Sequence, residues 1–207
     1  MSETIMCVED SLLQGILAGN GFIPFFLTDA HIRALEEGTW FAPRHCVENQ
    51  ESFRQIVPYV ILRHGKTVAT YRRTPKGDER RLHGKLSIGI GGHVSLHDLV
   101  LRDGGSDFRM TVDRALTREL EEEVSAITVL DKQELGFIYD DREPVSRVHL
   151  GIVSIWTIAQ PHLRSNEDSL DDCHWTNASE LQEYTSELEG WSVLCSEAIQ
   201  HSIDAPK

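Results

Sequence analysis

Thr111-Val-Asp-Arg-Ala-Leu-Thr-Arg118-Glu119-Leu-Glu121-Glu122-Glu123-Val124 decides the reading of this 207-residue chain. It contains neither Gly nor Pro, and strong helix formers fill its second half, so it reads as a helix. Wound at about 100° per residue with Val112 at zero, it puts Leu116 at about 40°, Leu120 at about 80° and Ala115 at about 300°, the apolar face. Glu119 at about 340° and Glu123 at about 20° fall inside that face, Glu122 at about 280° lies beside it, and only Glu121 at about 180° points away. A solvated acidic face accounts for Glu121 but not for the other three. Residues at i, i+3 and i+4 are helix neighbours, so these three carboxylates crowd. At an effective dielectric of about 20 and about 6 Å, each like-charge pair costs roughly 3 kcal/mol. That is large against a domain stability of about 5–15 kcal/mol. The cluster needs a cation or a proton. Arg118 offsets one charge, and hard oxygen donors otherwise suit Mg²⁺ or Mn²⁺.

The formal net charge of -13 argues against general binding to nucleic acid or anionic membranes, but not against small anionic ligands. A hydrophobic fraction of 40% supports a sizeable core. Cys7, Cys46, Cys173 and Cys195 form no CxxC pair and no zinc spacing. The amino terminus carries no basic or long apolar run, and the most apolar stretch, 150–159, is too short to span a bilayer. Reduced thiols and a cytoplasmic location are therefore expected.

Residues 1–50 read as an N-terminal extension packed on the core, and 51–207 as the main domain. The extension suggests helices at 9–17 and 29–37, the second with Thr28 as N-cap and Gly38 as its stop. Residues 55–62 and 67–71 make a hairpin about Gly65-Lys66. The charge then changes sign. Arg72, Arg73, Lys76, Arg80, Arg81 and Lys85, with His83, stand against Asp78 and Glu79. A strand at 86–90 leads into Gly91-Gly92-His93-Val94, where glycines permit close backbone approach. Residues 95–109 read as a polar connection. After the helix come strands at 127–130, 134–139 and 147–158, a turn at 140–144, and helices at 178–184 and 188–203. The irregular alternation predicts an α/β fold with a mixed sheet flanked by helices. No G-x-G-x-x-G opens a helix, which excludes a Rossmann fold.

Gly92 followed by Arg118-Glu119-Leu120-Glu121-Glu122-Glu123 resembles the Nudix hydrolase signature, G-x5-E-x7-R-E-U-x-E-E-x-G-U with U bulky and aliphatic. The hairpin, the basic strand, the Gly-Gly-His-Val segment and the late Trp175 are similar to the family's layout over about residues 51–203, in a poorly characterised branch. The resemblance implies a Nudix-like α/β/α sandwich that cleaves a nucleoside diphosphate linked to a group X. Glu119, Glu122 and Glu123, with the carbonyl of Gly92, would ligate Mg²⁺ or Mn²⁺, and Arg118 would orient the carboxylates. Arg73, Arg81 and Lys85 would hold phosphate oxygens. The general base stays open among Glu122, Glu123, Asp140 and Asp141. Asp140 and Asp141 also suit plain turn positions, and His93 and His149 suit hydrogen bonding.

Counting back from Arg118 puts Met110 where the signature has its first Glu, and the insertion at about 95–107 that restores Gly91-Gly92 supplies no Glu. Ser125 and Ala126 replace the last two signature residues. Two other readings compete. The segment ending in His93 resembles isopentenyl-diphosphate isomerases, but their cysteine has no counterpart between Cys46 and Cys173. A Nudix-like nucleotide sensor is the non-catalytic alternative. The expected partner is a small-molecule diphosphate, with no nucleic acid and no membrane, and a homodimer is compatible.

Overall fold

The computed structural model describes residues 3–25, 27–74, 82–102, 105–125, 127–166 and 170–204. The chain opens with β1 (Thr4–Glu9), α1 (Asp10–Ile16), β2 (Gly21–Pro24), α2 (Asp29–Gly38), β3 (Thr39–Pro43) and a short α3 (Arg44–Val47). β4 (Phe53–His64) and β5 (Thr67–Arg73) form the long hairpin, followed by two-residue strands β6 (Leu86–Ser87) and β7 (Ile90–Gly91). A small arm, β8 (Leu101–Arg102) and β9 (Gly105–Ser106), precedes α4 (Phe108–Glu123). Then come β10 (Val124–Ser125), β11 (Val129–Tyr139), β12 (His149–Ile158), β13 (Arg164–Ser165), β14 (Leu170–Asn177) and α5 (Gly190–Asp204). The fold is α/β with a mixed sheet, as the alternation of elements predicts. The chain divides into two units. The first holds Met1–Tyr59, Gly91–Arg118 and Gly136–Val153; the second holds Val60–Ile90, Glu119–Leu135 and Ser154–Lys207.

In the first unit β1 pairs antiparallel with β3, Thr4 opposite Pro43 through Val8 opposite Thr39, and with the start of β4, Cys7 opposite Gln55. A strand with neighbours on both sides is buried, so Ile5, Met6, Cys7 and Val8 are all apolar and enclosed. Met6, Val8, Leu13, Leu35, Phe108 and Val112 share the core of this unit. α2 begins where the sequence placed it. Thr28 Oγ1 accepts from the His31 amide at 3.3 Å, and the His31 ring accepts from the Thr28 amide at 3.4 Å. β1, β2 and β3 were not expected from the sequence, because apolar runs this short do not separate strand from helix by period.

The same unit contains a polar clamp. Arg54, 5% exposed, donates from Nε to Asp10 Oδ1 at 2.7 Å and from Nη1 to the carbonyls of Asp140 at 3.1 Å and Ser146 at 2.8 Å. Its guanidinium lies 4.5 Å from the Tyr139 ring centroid, and the Tyr139 hydroxyl donates to Asp10 at 2.9 Å. Burial pushes the Asp10 carboxyl up. The hydrogen bonds from Arg54, Tyr139 and Gln14 and the Arg54 charge outweigh it and hold the group below its ordinary value. The contribution of a depressed carboxylate is complete above its unfolded value, about 3.9, and fades as pH falls through the folded one. Asp10→Asn is therefore expected to melt lower than the parent at pH 7, with the gap narrowing below pH ~4. Melting curves across pH check this. A gap equal at pH 7 and pH 3 rejects the ion pair as its source.

In the second unit β5 is the inner strand. It pairs antiparallel with β4 (Arg63 opposite Val68), β6 (Tyr71 opposite Ser87) and β14 (Trp175 opposite Ala69). The register with β14 shifts between Asp171 and His174, beside Asp172 with φ 50°. β11 is a single strand where the sequence suggested two, because its middle residues Asp131, Lys132 and Gln133 are exposed and polar. The four cysteines are unpaired. Cys7 and Cys195 are buried, and burial pushes the Cys7 thiol up to about 12. Among the described residues, no helix is long and apolar enough to cross a membrane.

Candidate functional site

In the first unit the Gly91–Asp98 segment is held tightly. A Cβ on Gly91 would lie 2.3 Å from the Pro58 carbonyl oxygen, so only glycine fits against β4. The Val94 amide donates to the Ile56 carbonyl at 3.3 Å, and the Val94 carbonyl accepts from the Met6 amide of β1 at 2.8 Å. Ser95 caps a 3-10 turn, Leu96–Asp98, its hydroxyl accepting from the His97 amide at 3.3 Å. The Asp98 carboxylate, 2% exposed, accepts from the Ser95 amide at 2.8 Å. It also takes Arg118 fork to fork, Nε to Oδ1 at 3.0 Å and Nη2 to Oδ2 at 2.9 Å. Nη2 of Arg118 further donates to the His93 carbonyl at 3.1 Å. The sequence reading did not single out Asp98.

His93 and His149 face each other, Nε2 to Nε2, at 3.3 Å. The Val145 carbonyl, which can only accept, lies 2.6 Å from His149 Nδ1. That nitrogen therefore carries its proton, and Nε2 of His149 is the atom turned to His93. Burial, then the His149 and Arg44 charges, push His93 well below the ordinary histidine range. His93 is thus held as a neutral imidazole in contact with His149, the hydrogen-bonding role expected for both rings. Asp140, buried, pairs with Arg142 at 2.5 Å, and Asp141 bonds to Asn20, so both serve the turn.

In the second unit α4 continues through Glu119, Glu122 and Glu123. Glu122 is exposed and the other two are half-buried. Among the described residues, no three His, Cys, Asp or Glu side chains are gathered closely enough to hold a metal ion. Arg73 lies with Nε 3.4 Å from Glu189 Oε2 and its guanidinium 5.8 Å from the Tyr71 ring centroid. Glu189, 4% exposed, precedes α5 and accepts from Ser87 Oγ at 2.6 Å and Ser192 Oγ at 3.2 Å. Tyr71 donates to the Gly89 carbonyl at 2.6 Å. Burial pushes its hydroxyl up to about 12, with Arg73 opposing and Glu189 and Glu123 reinforcing. Glu123, Arg73 and Glu189 therefore share one electrostatic neighbourhood around Tyr71. Lys85 donates to the Ser186 carbonyl at 3.2 Å, and Arg72 pairs with Glu187 at 2.9 Å. Arg81 lies outside the described residues.

No family model matches the chain. It is 36% identical over 153 residues, 70% of each chain, to protein YmaB of Bacillus subtilis (strain 168). Its structure is similar to that of Tm1382, a candidate Nudix hydrolase, with a TM-score of 0.79 and 27% identity over 97% of this chain and 100% of that one. The chain has the Nudix hydrolase fold. A more distant likeness, to DR0079 of Deinococcus radiodurans, has a TM-score of 0.51 at 15% identity, over 79% of this chain and 90% of that one, and concerns the fold alone. Within the family signature, Gly92-His-Val-Ser-Leu-His-Asp98 now reads as G-x5-D, an aspartate at the first acidic position. Residues 99–117 then separate it from Arg118, 19 residues where the signature has 7, so the insertion follows the acidic residue and includes the β8–β9 arm.

Proposed function

We propose that this Nudix chain is a metal-dependent hydrolase of the diphosphate linkage in a nucleoside diphosphate-X substrate. The observation that carries the reading is the run Arg118-Glu119-Leu120-Glu121-Glu122-Glu123 on one helix, with Glu123 in the same charged neighbourhood as Arg73 of the basic strand. Three carboxylates at i, i+3 and i+4 are the hard donors that Mg²⁺ or Mn²⁺ takes. Their side chains do not converge here, but long glutamates on a part-exposed helix face can turn toward an ion. The donor set fits. Bound there, the ion supplies charge neutralisation and an acidified water.

The chain's own residues account for the rest. Arg73 offers a planar donor fork to a phosphate oxygen, and its pairing with Glu189 fixes where the fork sits. Arg81 and Lys85, from the same basic run, are the other two phosphate ligands of this reading. Tyr71 stays protonated at neutral pH, so it contributes no charge. Glu122 or Glu123 takes the proton from the attacking water. The test is a screen of nucleotide sugars, dinucleoside polyphosphates, and nucleoside di- and triphosphates with Mg²⁺ or Mn²⁺. Metal-dependent turnover of one class supports the reading. Saturable binding without turnover of any supports the sensor instead.

A ligand that binds only the native state stabilises it by about 2.7 kcal/mol at a hundredfold excess over Kd. At about 2–4 °C per kcal/mol for a chain of this size, Mg²⁺ or Mn²⁺ is expected to raise Tm by about 5–11 °C. The rise should vanish in a Glu119→Gln/Glu123→Gln double variant and survive in Glu121→Gln, which changes the opposite side of α4. Loss of the rise in Glu121→Gln as complete as in the double variant would reject this assignment of faces.

A further inference from the structure

We propose that the segment Ser186-Glu187-Leu188-Glu189 positions the anion site of the basic strand, with the Glu189 carboxylate setting Arg73 and the Ser186 carbonyl setting Lys85. The proposal rests on the phosphate role given to those two cations above, and all of its residues belong to the second unit. The segment leads into α5 and lies along β6. The Leu86 amide donates to the Glu187 carbonyl at 3.0 Å, the Glu189 amide donates to the Leu86 carbonyl at 2.8 Å, and Leu86 and Leu188 form a parallel bridge. β6 in turn pairs with β5, Tyr71 opposite Ser87, and the Arg73 amide donates to the Lys85 carbonyl at 3.0 Å. Arg73 and Lys85 are therefore neighbours across the ladder, and the segment beside them meets both. Glu189 takes Arg73 at 3.4 Å, and the Ser186 carbonyl takes Lys85 Nζ at 3.2 Å.

Burial separates the two acids of the segment. The Glu189 side chain is 3% exposed. Its Oε1 accepts from Ser87 Oγ at 2.6 Å and Ser192 Oγ at 3.2 Å, and its Oε2 faces Arg73 Nε. Ser192 Oγ also accepts from the Ile88 amide at 3.1 Å, so β6, the residue after it and the start of α5 together fix the carboxylate. A buried anion held this way keeps its cation, because separating the pair leaves a charge uncompensated. Arg73 thus meets an incoming anion with its planar fork already oriented. Glu187 differs. Its side chain is 50% exposed and pairs with that of Arg72, 41% exposed, a contact of little energetic weight.

The experiment is calorimetric titration of the full-length protein with inorganic pyrophosphate, in metal-free buffer at low salt. By charge alone, removing a carboxylate near an anion site tightens the anion. Glu189→Gln should do the opposite and weaken pyrophosphate about tenfold, the loss of one charge-assisted contact. In an Arg73→Gln background the same change should no longer weaken it, because Glu189 acts through Arg73. Glu187→Gln removes the same charge from the same segment and should leave affinity unchanged or tighten it by up to about fivefold. Unchanged or tighter binding in Glu189→Gln overturns the proposal. So does an equal loss with Arg73 present and replaced, or a loss in Glu187→Gln as large as in Glu189→Gln. If Glu189→Gln does not fold, Ser87→Ala serves, keeping the charge and removing the 2.6 Å bond that orients it. It should weaken pyrophosphate with the circular dichroism unchanged, and parental affinity in that variant overturns the proposal. If the parent binds no pyrophosphate, Arg73 and Lys85 form no anion site and the proposal falls, while the hydrolase reading is decided separately by metal-dependent turnover.

Discussion

Glu122→Gln is expected to lower kcat on the order of a hundredfold or more, the loss that follows removal of one group that stabilises charge in the transition state. The amide keeps the shape of the side chain and loses the anionic oxygens that would hold the ion and accept a proton. Glu122 is exposed, so the fold should tolerate the change within about 0.5 kcal/mol. Carboxylates about 6 Å apart at an effective dielectric of about 20 imply a gain of about 1–3 kcal/mol without metal. Exposure to solvent and salt screens most of that repulsion, leaving a small gain or none. Two measurements decide it, kcat with Mn²⁺ and Tm in a chelator. Parental kcat in the variant removes Glu122 from the site. A lost kcat with Tm down by many degrees makes the loss one of folding.

What could be read in the sequence follows from how local each signal is. α4 was legible because it carries its own period, its formers and its acidic pattern within one stretch, and the structure begins it three residues earlier, at Phe108. The β4–β5 hairpin was legible from a β-branched run and a Gly-Lys turn. β14, Leu-Asp-Asp-Cys-His-Trp-Thr-Asn, was not, because its strand state comes from pairing with β5 a hundred residues away. Asp98 and Glu189 were missed for a related reason. Each is one acidic residue among polar neighbours, and only the folded chain shows that it is enclosed and paired. The spacing Gly92-x5-Asp98 was a usable signal, hidden because an Asp stands where the signature has Glu and the insertion separates it from Arg118. Arg118 was expected to orient its helical neighbours; the structure shows its fork engaged by Asp98 and the His93 carbonyl.

Gly91→Ala is expected to be among the most destabilising single-methyl additions in the chain. The added Cβ would sit 2.3 Å from the Pro58 carbonyl oxygen and 3.2 Å from Tyr59 Cα. Both obstacles are backbone of β4, buried in the first unit, and neither yields by a side-chain turn. Relief requires β4 and the Gly91–Asp98 segment to part, straining the Val94-to-Ile56 hydrogen bond on the same segment. Overpacking of this kind costs about 3 kcal/mol at the upper end of its usual range. That cost lowers Tm by about 6–12 °C in a chain of this length. Gly15→Ala is the control. Its Cβ meets nothing within 4 Å, and it lies in α1. There alanine should stabilise by about 0.5–1 kcal/mol, because the unfolded chain loses freedom and the helix gains a better former. Opposite signs for the same chemical change isolate the close approach at Gly91 as the cause. Equal Tm for Gly91→Ala and the parent would mean that β7 does not lie against Pro58 as described, and the clamped geometry of Asp98 would lose its anchor with it.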